Sequence, residues 1–247
     1  MPGTNSNPKN PELSFVTCVS NWQLYNKCVI SSLNQTDASQ DIFEKIPIDN
    51  TKNHFSAAEA LNLGLSRSKG KLIIFCHQDL LFPKEWICNF LKQINIIESR
   101  DKYWGVAGLF GRCSNGSMSG NVTDFMGLHF SPPLPHKVQT LDELCLIIRR
   151  TSGLQFDEYM DGFHLYGADI CLTAACQGMQ SYAIDCFVEH RSKGNKDEKW
   201  RLQKEKFIKK WHPKRHSVGK KIYTPSGKIR LHPPIIRFIR RIRDIVL

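Results

Sequence analysis

The sequence predicts an α/β fold: a Rossmann-like, mainly parallel central sheet flanked by helices, followed by a basic C-terminal helical tail. Three observations carry this expectation. Short apolar or β-branched runs alternate with segments of helical period, the apolar run 72–76 ends abruptly in His77-Gln78-Asp79, and positive charge gathers in the last quarter of the chain.

The elements follow in order. Residues 14–20 (SFVTCVS) read as a first strand, and 21–33 as a helix, because Trp22, Tyr25, Val29 and Leu33 fall at helical spacing. A second strand, 43–48, ends at Asp49-Asn50. Residues 54–68 read as a helix with Ala57, Ala60, Leu61, Gly64 and Leu65 on one side, stopped by Gly70. Leu72-Ile73-Ile74-Phe75-Cys76 is then a strand buried on both faces, as parallel strands are. After Pro83 come a helix over 84–97 and a strand over 104–110. This βαβαβαβ order implies parallel strands with right-handed crossovers. Residues 111–137, rich in Gly, Ser, Asn and Pro, read as a long binding loop. A strand over 144–149, a helix within 159–177, a last strand over 183–188 ending at Glu189-His190, and a charged helix over 200–210 complete the series.

With 247 residues, 41% of them hydrophobic, the chain can bury a sizeable core, which excludes disorder throughout. Its nine cysteines are scattered in apolar surroundings with no CxxC, which argues for reduced thiols in a cytosolic protein and against zinc-ribbon or thioredoxin chemistry. Residues 1–12 are polar and read as a flexible N-terminus without the apolar core of a signal peptide, and no window reaches the length of a membrane span. From Arg191 onward nineteen Lys/Arg face four Asp/Glu, net +15, which leaves net −4 for residues 1–190. The expected organisation is therefore a main domain over 13–212 and a basic tail over 213–247. An acidic main domain with no recognition motif argues against a nucleic-acid partner.

His77 and Asp79 leave a buried strand at its carboxyl end, where open α/β sheets bind ligands. A divalent cation bridging a diphosphate is one occupant that would favour two such side chains there.

Several fragments in order form one pattern: Phe15-Val16-Thr17-Cys18-Val19-Ser20-Asn21, Pro47-Ile48-Asp49-Asn50, Ala58 with Asn62-Leu63-Gly64, Ser68-Lys69-Gly70, His77-Gln78-Asp79, Phe156-Asp157-Glu158, the stretch from Phe163 to Leu172 (FHLYGADICL), and His190. Together they resemble the inverting family 2 glycosyltransferases of GT-A fold, most closely the StrF-like bacterial subgroup, over roughly residues 14–195. The resemblance implies a hexosyltransferase-like enzyme that takes a UDP-, GDP- or dTDP-sugar donor and a glycan or lipid-linked acceptor, as in surface polysaccharide biosynthesis. It places Ser20, Asn21, Asp49, Asn50, Asn62, His77 and Gln78 at the nucleotide sugar. His77-Gln78-Asp79 occupies the place of the family's Asp-x-Asp, with His in the first position. Asp79, His77 and His190 are the implied ligands of Mn²⁺ or Mg²⁺, and an imidazole in the set leans it toward Mn²⁺. The His also leaves open a weakened or metal-independent site. An inverting transfer needs a carboxylate to take the acceptor's proton. Asp169 is the implied base and Asp161 the reserve, because Ala168-Asp169 stands where the family has Glu-Asp. Asp142 is an acceptor-side candidate. A non-catalytic GT-A-like protein binding nucleotide or glycan is the alternative, suggested by His77 and Ala168 in place of acids.

In the tail, Ile235, Ile236, Phe238, Ile239, Ile242, Ile245 and Val246 gather on one side of a helical plot, opposite Arg237, Arg240, Arg241 and Asp244. Such a cationic amphipathic helix suits an anionic membrane surface, so the expected location is cytoplasmic, peripheral at the inner face of the membrane. Docking on its own domain or on a second subunit is the other reading.

Overall fold

The computed structural model describes residues 10–124, 127–131, 133–191 and 198–231. The amphipathic segment 233–247 and most of the polar loop after Arg191 lie outside the described residues.

The first half follows the predicted alternation. Strand β1 (Leu13–Val19) leads into α1 (Trp22–Tyr25), a π turn over Asn26–Ile30 and α2 (Ser31–Asn34), then β2 (Phe43–Asp49). Helix α3 (Ala57–Arg67) starts three residues later than expected. Ser56 and Glu59 form a reciprocal capping box that fixes its first turn. Gly64 is what lets α3 lie on β1, since a Cβ there would fall 2.1 Å from Cγ1 of Val16. Strand β3 (Leu72–Cys76), the short β4 (Leu80–Leu81) and α4 (Trp86–Arg100) follow.

The expected strand over 104–110 is split into β5 (Val106–Gly108) and β6 (Phe110–Arg112), which belong to different sheets. The expected long loop over 111–137 is instead mostly strand. It holds β7 (Met118–Asp124), β8 (Gly127–Ser131) and β9 (His136–Val138), followed by β10 (Thr140–Leu141). Backbone pairing between antiparallel neighbours there outweighs a Gly- and Ser-rich composition. After β11 (Cys145–Arg149) come α5 (Tyr166–Cys176), β12 (Ser181–Ala183), β13 (Glu189–His190), α6 (Glu198–Trp211), α7 (Arg215–Val218) and a hairpin of β14 (Lys221–Thr224) and β15 (Gly227–Arg230).

The main sheet has the order β2-β1-β3-β11-β5-β12-β9. Strands β1, β2 and β3 are parallel, and β12 is parallel to β5. The parallel expectation fails at β11, which runs antiparallel to both β3 and β5. No crossover helix precedes β11; the chain reaches it from the second sheet, order β10-β6-β7-β13-β4, and so re-enters in the opposite direction. Both faces of the main sheet are covered. Ile74 and Cys76 of β3 pack into one apolar cluster with Trp86 and Phe90 of α4, while Ile73 and Phe75 pack into the other with Ala58 and Leu61 of α3. That is why β3 and β11 are continuously apolar rather than alternating.

A third cluster joins Leu165, Ala168 and Leu172 to Phe207 and Trp211 of α6 and to Ile222 and Ile229 of the hairpin. The chain is thus folded onto the main body through Leu231, well past the expected start of the tail at 213. Among the described residues no helix is long and apolar enough to cross a membrane.

Candidate active site

The carboxyl ends of β1, β2 and β3 open on one edge of the main sheet. Because β11 is antiparallel, the residues that lead into it arrive at the same edge. Cys145 pairs with Cys76, and the His77 N–H donates to the Leu144 carbonyl at 2.9 Å, one step beyond the strands. A cleft of about 210 Å³ lies there, lined by Cys18, Ser20, His77, Gln78, Asp79, Glu143, Phe163 and Tyr166 among others.

His77 and Asp79 line this cleft and His190 lies beside them, each of the three offering a ligand atom within 4.8 Å of the other two. Strand β13 makes this possible by pairing antiparallel with β4, so that His190 lies opposite Leu80, next to Asp79. Nε2 of His190 is 3.5 Å from Oδ1 of Asp79 and 3.5 Å from Nδ1 of His77. The other nitrogen of His77, Nε2, is 3.2 Å from the Tyr166 hydroxyl, which is 3.4 Å from the Glu143 carbonyl oxygen. When Nε2 holds the proton and donates to Tyr166, Nδ1 presents a bare lone pair to the other two ligands. Burial, and then the neighbouring His190, pushes the His77 pKa below its ordinary value, which favours the neutral, ligating form. Two imidazole nitrogens and a carboxylate oxygen are a donor set that could hold a first-row divalent cation.

Gln78 has a different task. Its Oε1 accepts from the backbone N–H groups of Ser20 and Asn21 at 3.0 and 2.8 Å, and its Nε2 donates to the Ser20 hydroxyl at 2.8 Å. It clamps the loop after β1 to the loop after β3. The Asn21 side chain caps α1 by accepting from the Leu24 N–H at 3.0 Å. Asp49 is exposed at the end of β2, and its carboxylate accepts from the Thr51 N–H, a bond that lowers its pKa.

Other expected contacts are occupied elsewhere. The Asn50 side chain is buried and exchanges two hydrogen bonds with the backbone of Phe55, closing the loop after β2. Asn62 does the same with Phe156, tying α3 to the segment before α5. Asp142 accepts from the Leu144 N–H at 3.0 Å and orders the turn into β11.

Neither expected base reaches the cleft. Asp169 is 2% exposed, and its two oxygens accept from Lys210 Nζ and Trp211 Nε1, both at 2.7 Å. Asp161 is exposed, bonded to Gln203 and paired with Lys206. Both face α6: Asp169, on α5, meets Lys210 and Trp211, and Asp161, in the segment before α5, meets Gln203 and Lys206. The cleft carboxylates among the described residues are Asp79 and Glu143. In the sequence the acceptor-side candidate on this turn is its neighbour Asp142, whose carboxylate instead orders the turn, while Glu143 lines the cleft.

The family model described as "Glycosyltransferase like family" matches residues 14–216. The chain belongs to this glycosyltransferase-like family. It is also 29% identical over 211 residues to the protein "ATP synthase subunits region ORF 6" of Fuscovulum blasticum, covering 82% of this chain and 84% of that protein. Among solved structures it is similar to the mannosyltransferase PcManGT from Pyrobaculum calidifontis in complex with GDP-Man and Mn²⁺, with a TM-score of 0.57 and 12% identity. The alignment covers 85% of this chain and 66% of PcManGT, just under two thirds. GalNAc-T7 with UDP, GalNAc and Mn²⁺ aligns with a TM-score of 0.55 and 13% identity, over 76% of this chain and 45% of that one. At such identities the likeness is one of fold, and the fold is GT-A.

Proposed function

We propose that this glycosyltransferase-like protein is an inverting, nucleotide-sugar-dependent transferase of the StrF-like bacterial branch, assisted by Mn²⁺ or Mg²⁺ at His77, Asp79 and His190. The observation that carries the reading is the convergence of those three side chains at the carboxyl end of β3, with His77 and Asp79 on the wall of an open cleft and His190 beside them. A cation held there would neutralise charge on the departing diphosphate. The chain's own residues do the rest. The Ser20-Asn21 loop, held rigid by Gln78, and Asp49 beside it offer hydrogen-bonding groups for a base and ribose. Tyr166 orients His77. The GDP-Man, UDP and Mn²⁺ named with the two neighbouring structures support this donor class.

We extend the reading to a glycan or lipid-linked acceptor of a surface polysaccharide, met at an anionic membrane face. The support is the excess of nineteen Lys/Arg over four Asp/Glu from Arg191 onward and the amphipathic pattern of 235–246. Deletion of residues 233–247 is expected to release the protein from anionic liposomes, and unchanged binding removes this extension.

The test of the central reading is calorimetric titration of UDP and GDP, with and without Mn²⁺, into the wild type and Asp79→Ala. Metal-dependent binding that disappears in the variant is the expected result. If neither nucleotide binds in either condition, the donor-site reading falls and a non-catalytic, glycan-binding role takes its place.

A further inference from the structure

We infer that Glu143 is the general base of this site, the carboxylate that takes the proton from the acceptor hydroxyl as it attacks the donor sugar. The inference deepens the transferase reading and rests on it. An inverting displacement needs a carboxylate free to face the acceptor, on the cleft wall but outside the cation's own ligands. Asp169 and Asp161 are held against α6, and Asp79 stands among the three metal-ligand candidates. Glu143 is the other carboxylate that lines the cleft, half-buried, on the turn between β10 and β11.

Its surroundings are built to hold it. The carboxylate stem lies against the amino end of α5, beside the backbone of Gly167, where the helix start presents partial positive charge. Leu165, the residue that opens α5, has φ of 66°, a left-handed conformation that a leucine adopts only under constraint from its surroundings. Residue 167 is a glycine, and a Cβ there would sit 2.9 Å from the Leu141 carbonyl oxygen and 3.3 Å from Cγ of Glu143. The lack of a side chain at 167 leaves Glu143 its position. The helix start that brings a carboxylate to the cleft thus does so with Glu143 from a neighbouring turn rather than with an acid of its own. Burial, then the nearby Asp142, raises the Glu143 pKa from 4.5 to about 8, within reach of a proton transfer near neutral pH.

The step balances. The acceptor O–H bond breaks and its proton passes to Glu143, the acceptor oxygen forms the new bond to the anomeric carbon, and the bond from that carbon to the diphosphate oxygen breaks. The nucleoside diphosphate leaves with the electron pair.

The experiment measures nucleoside diphosphate released from a panel of UDP-, GDP- and dTDP-sugars by the full chain with Mn²⁺, water serving as acceptor, for wild type, Glu143→Gln and Glu143→Asp. Calorimetric binding of UDP and GDP with Mn²⁺ is measured on the same samples. Glutamine keeps the shape and retains an acceptor oxygen toward the amino end of α5, so a role confined to capping that helix survives it. The expected result is a loss of release of about 10²- to 10⁴-fold in Glu143→Gln with nucleotide binding unchanged, and partial activity in Glu143→Asp. Release within about threefold of wild type in Glu143→Gln overturns the base assignment and leaves the transferase reading intact. Release from none of the donors by the wild type, together with absent nucleotide binding, overturns both. Release from none of them with nucleotide binding retained overturns the base assignment alone, because a base poised in the cleft would also activate water.

Discussion

The Tyr166 hydroxyl lies 3.2 Å from Nε2 of His77, across 89 positions of sequence, and the tyrosine as a whole is buried. It joins the first turn of α5 to the strand end that carries the metal-ligand candidates. An outer partner of this kind fixes which ring nitrogen is free to bind. Tyr166→Phe removes it without changing the ring, and is expected to weaken Mn²⁺ binding by about 10- to 100-fold. Titration of Mn²⁺ into the two proteins checks this, and equal affinities would show that His77 needs no such orientation.

Gln78 joins the loops after β1 and β3 at the cleft through three hydrogen bonds to Ser20 and Asn21. Gln78→Ala should free the Ser20-Asn21 loop at a cost of about 1–2 kcal/mol, seen as roughly 5- to 30-fold weaker UDP or GDP binding at saturating Mn²⁺. Metal affinity should be unaffected, because Gln78 contributes no ligand to the His77, Asp79, His190 group.

Lys210 neutralises Asp169 at 2.7 Å and also pairs with Asp157 at 2.7 Å, fixing α6 to the body of the domain. Lys210→Ala leaves the Asp169 carboxylate buried without its cation, and is expected to destabilise the fold by about 3–5 kcal/mol in thermal or denaturant unfolding. Asp169→Asn keeps an acceptor for Trp211, so it should fold and retain its turnover rate. A loss of about 10²-fold or more in kcat, with the protein folded, would return the base role to Asp169.

Glu143 also predicts a pH effect on stability. Its folded-state pKa of about 8 lies above the ordinary 4.5, so the folded protein keeps a proton that the unfolded chain has already released. The stabilisation is complete below about 4.5 and is lost as pH rises through 8. Thermal unfolding of the metal-free wild type should therefore weaken over this range relative to Glu143→Gln, which has no such proton to lose. Parallel curves for the two proteins would contradict the raised pKa.

Much of the site was legible in the sequence because it depends on local order. The run from Leu72 to Cys76 is apolar on both faces, so it had to be a buried strand, and His77 and Asp79 had to leave it at a ligand-binding edge. The placing of Ser20 and Asp49 just beyond or at the ends of β1 and β2 followed in the same way. Asn50 and Asn62 were harder to read, because an amide suited to a ligand is equally suited to closing a loop on Phe55 or Phe156, and only the approach of those backbones decides between them.

The sequence by itself determined the alternating core elements and the strand end that carries His77 and Asp79, and its family resemblance named His190 as the third metal-ligand candidate. Tertiary structure decided what came from a distance. It brought His190 beside Asp79 through the pairing of β13 with β4, turned Asp169 toward Lys210 and Trp211, and reversed β11. That reversal delivered Glu143 to the cleft. The physical reason is that strand direction depends on where the chain last crossed the sheet, and nothing in the residues of β11 themselves, apolar on both faces, records which way they run.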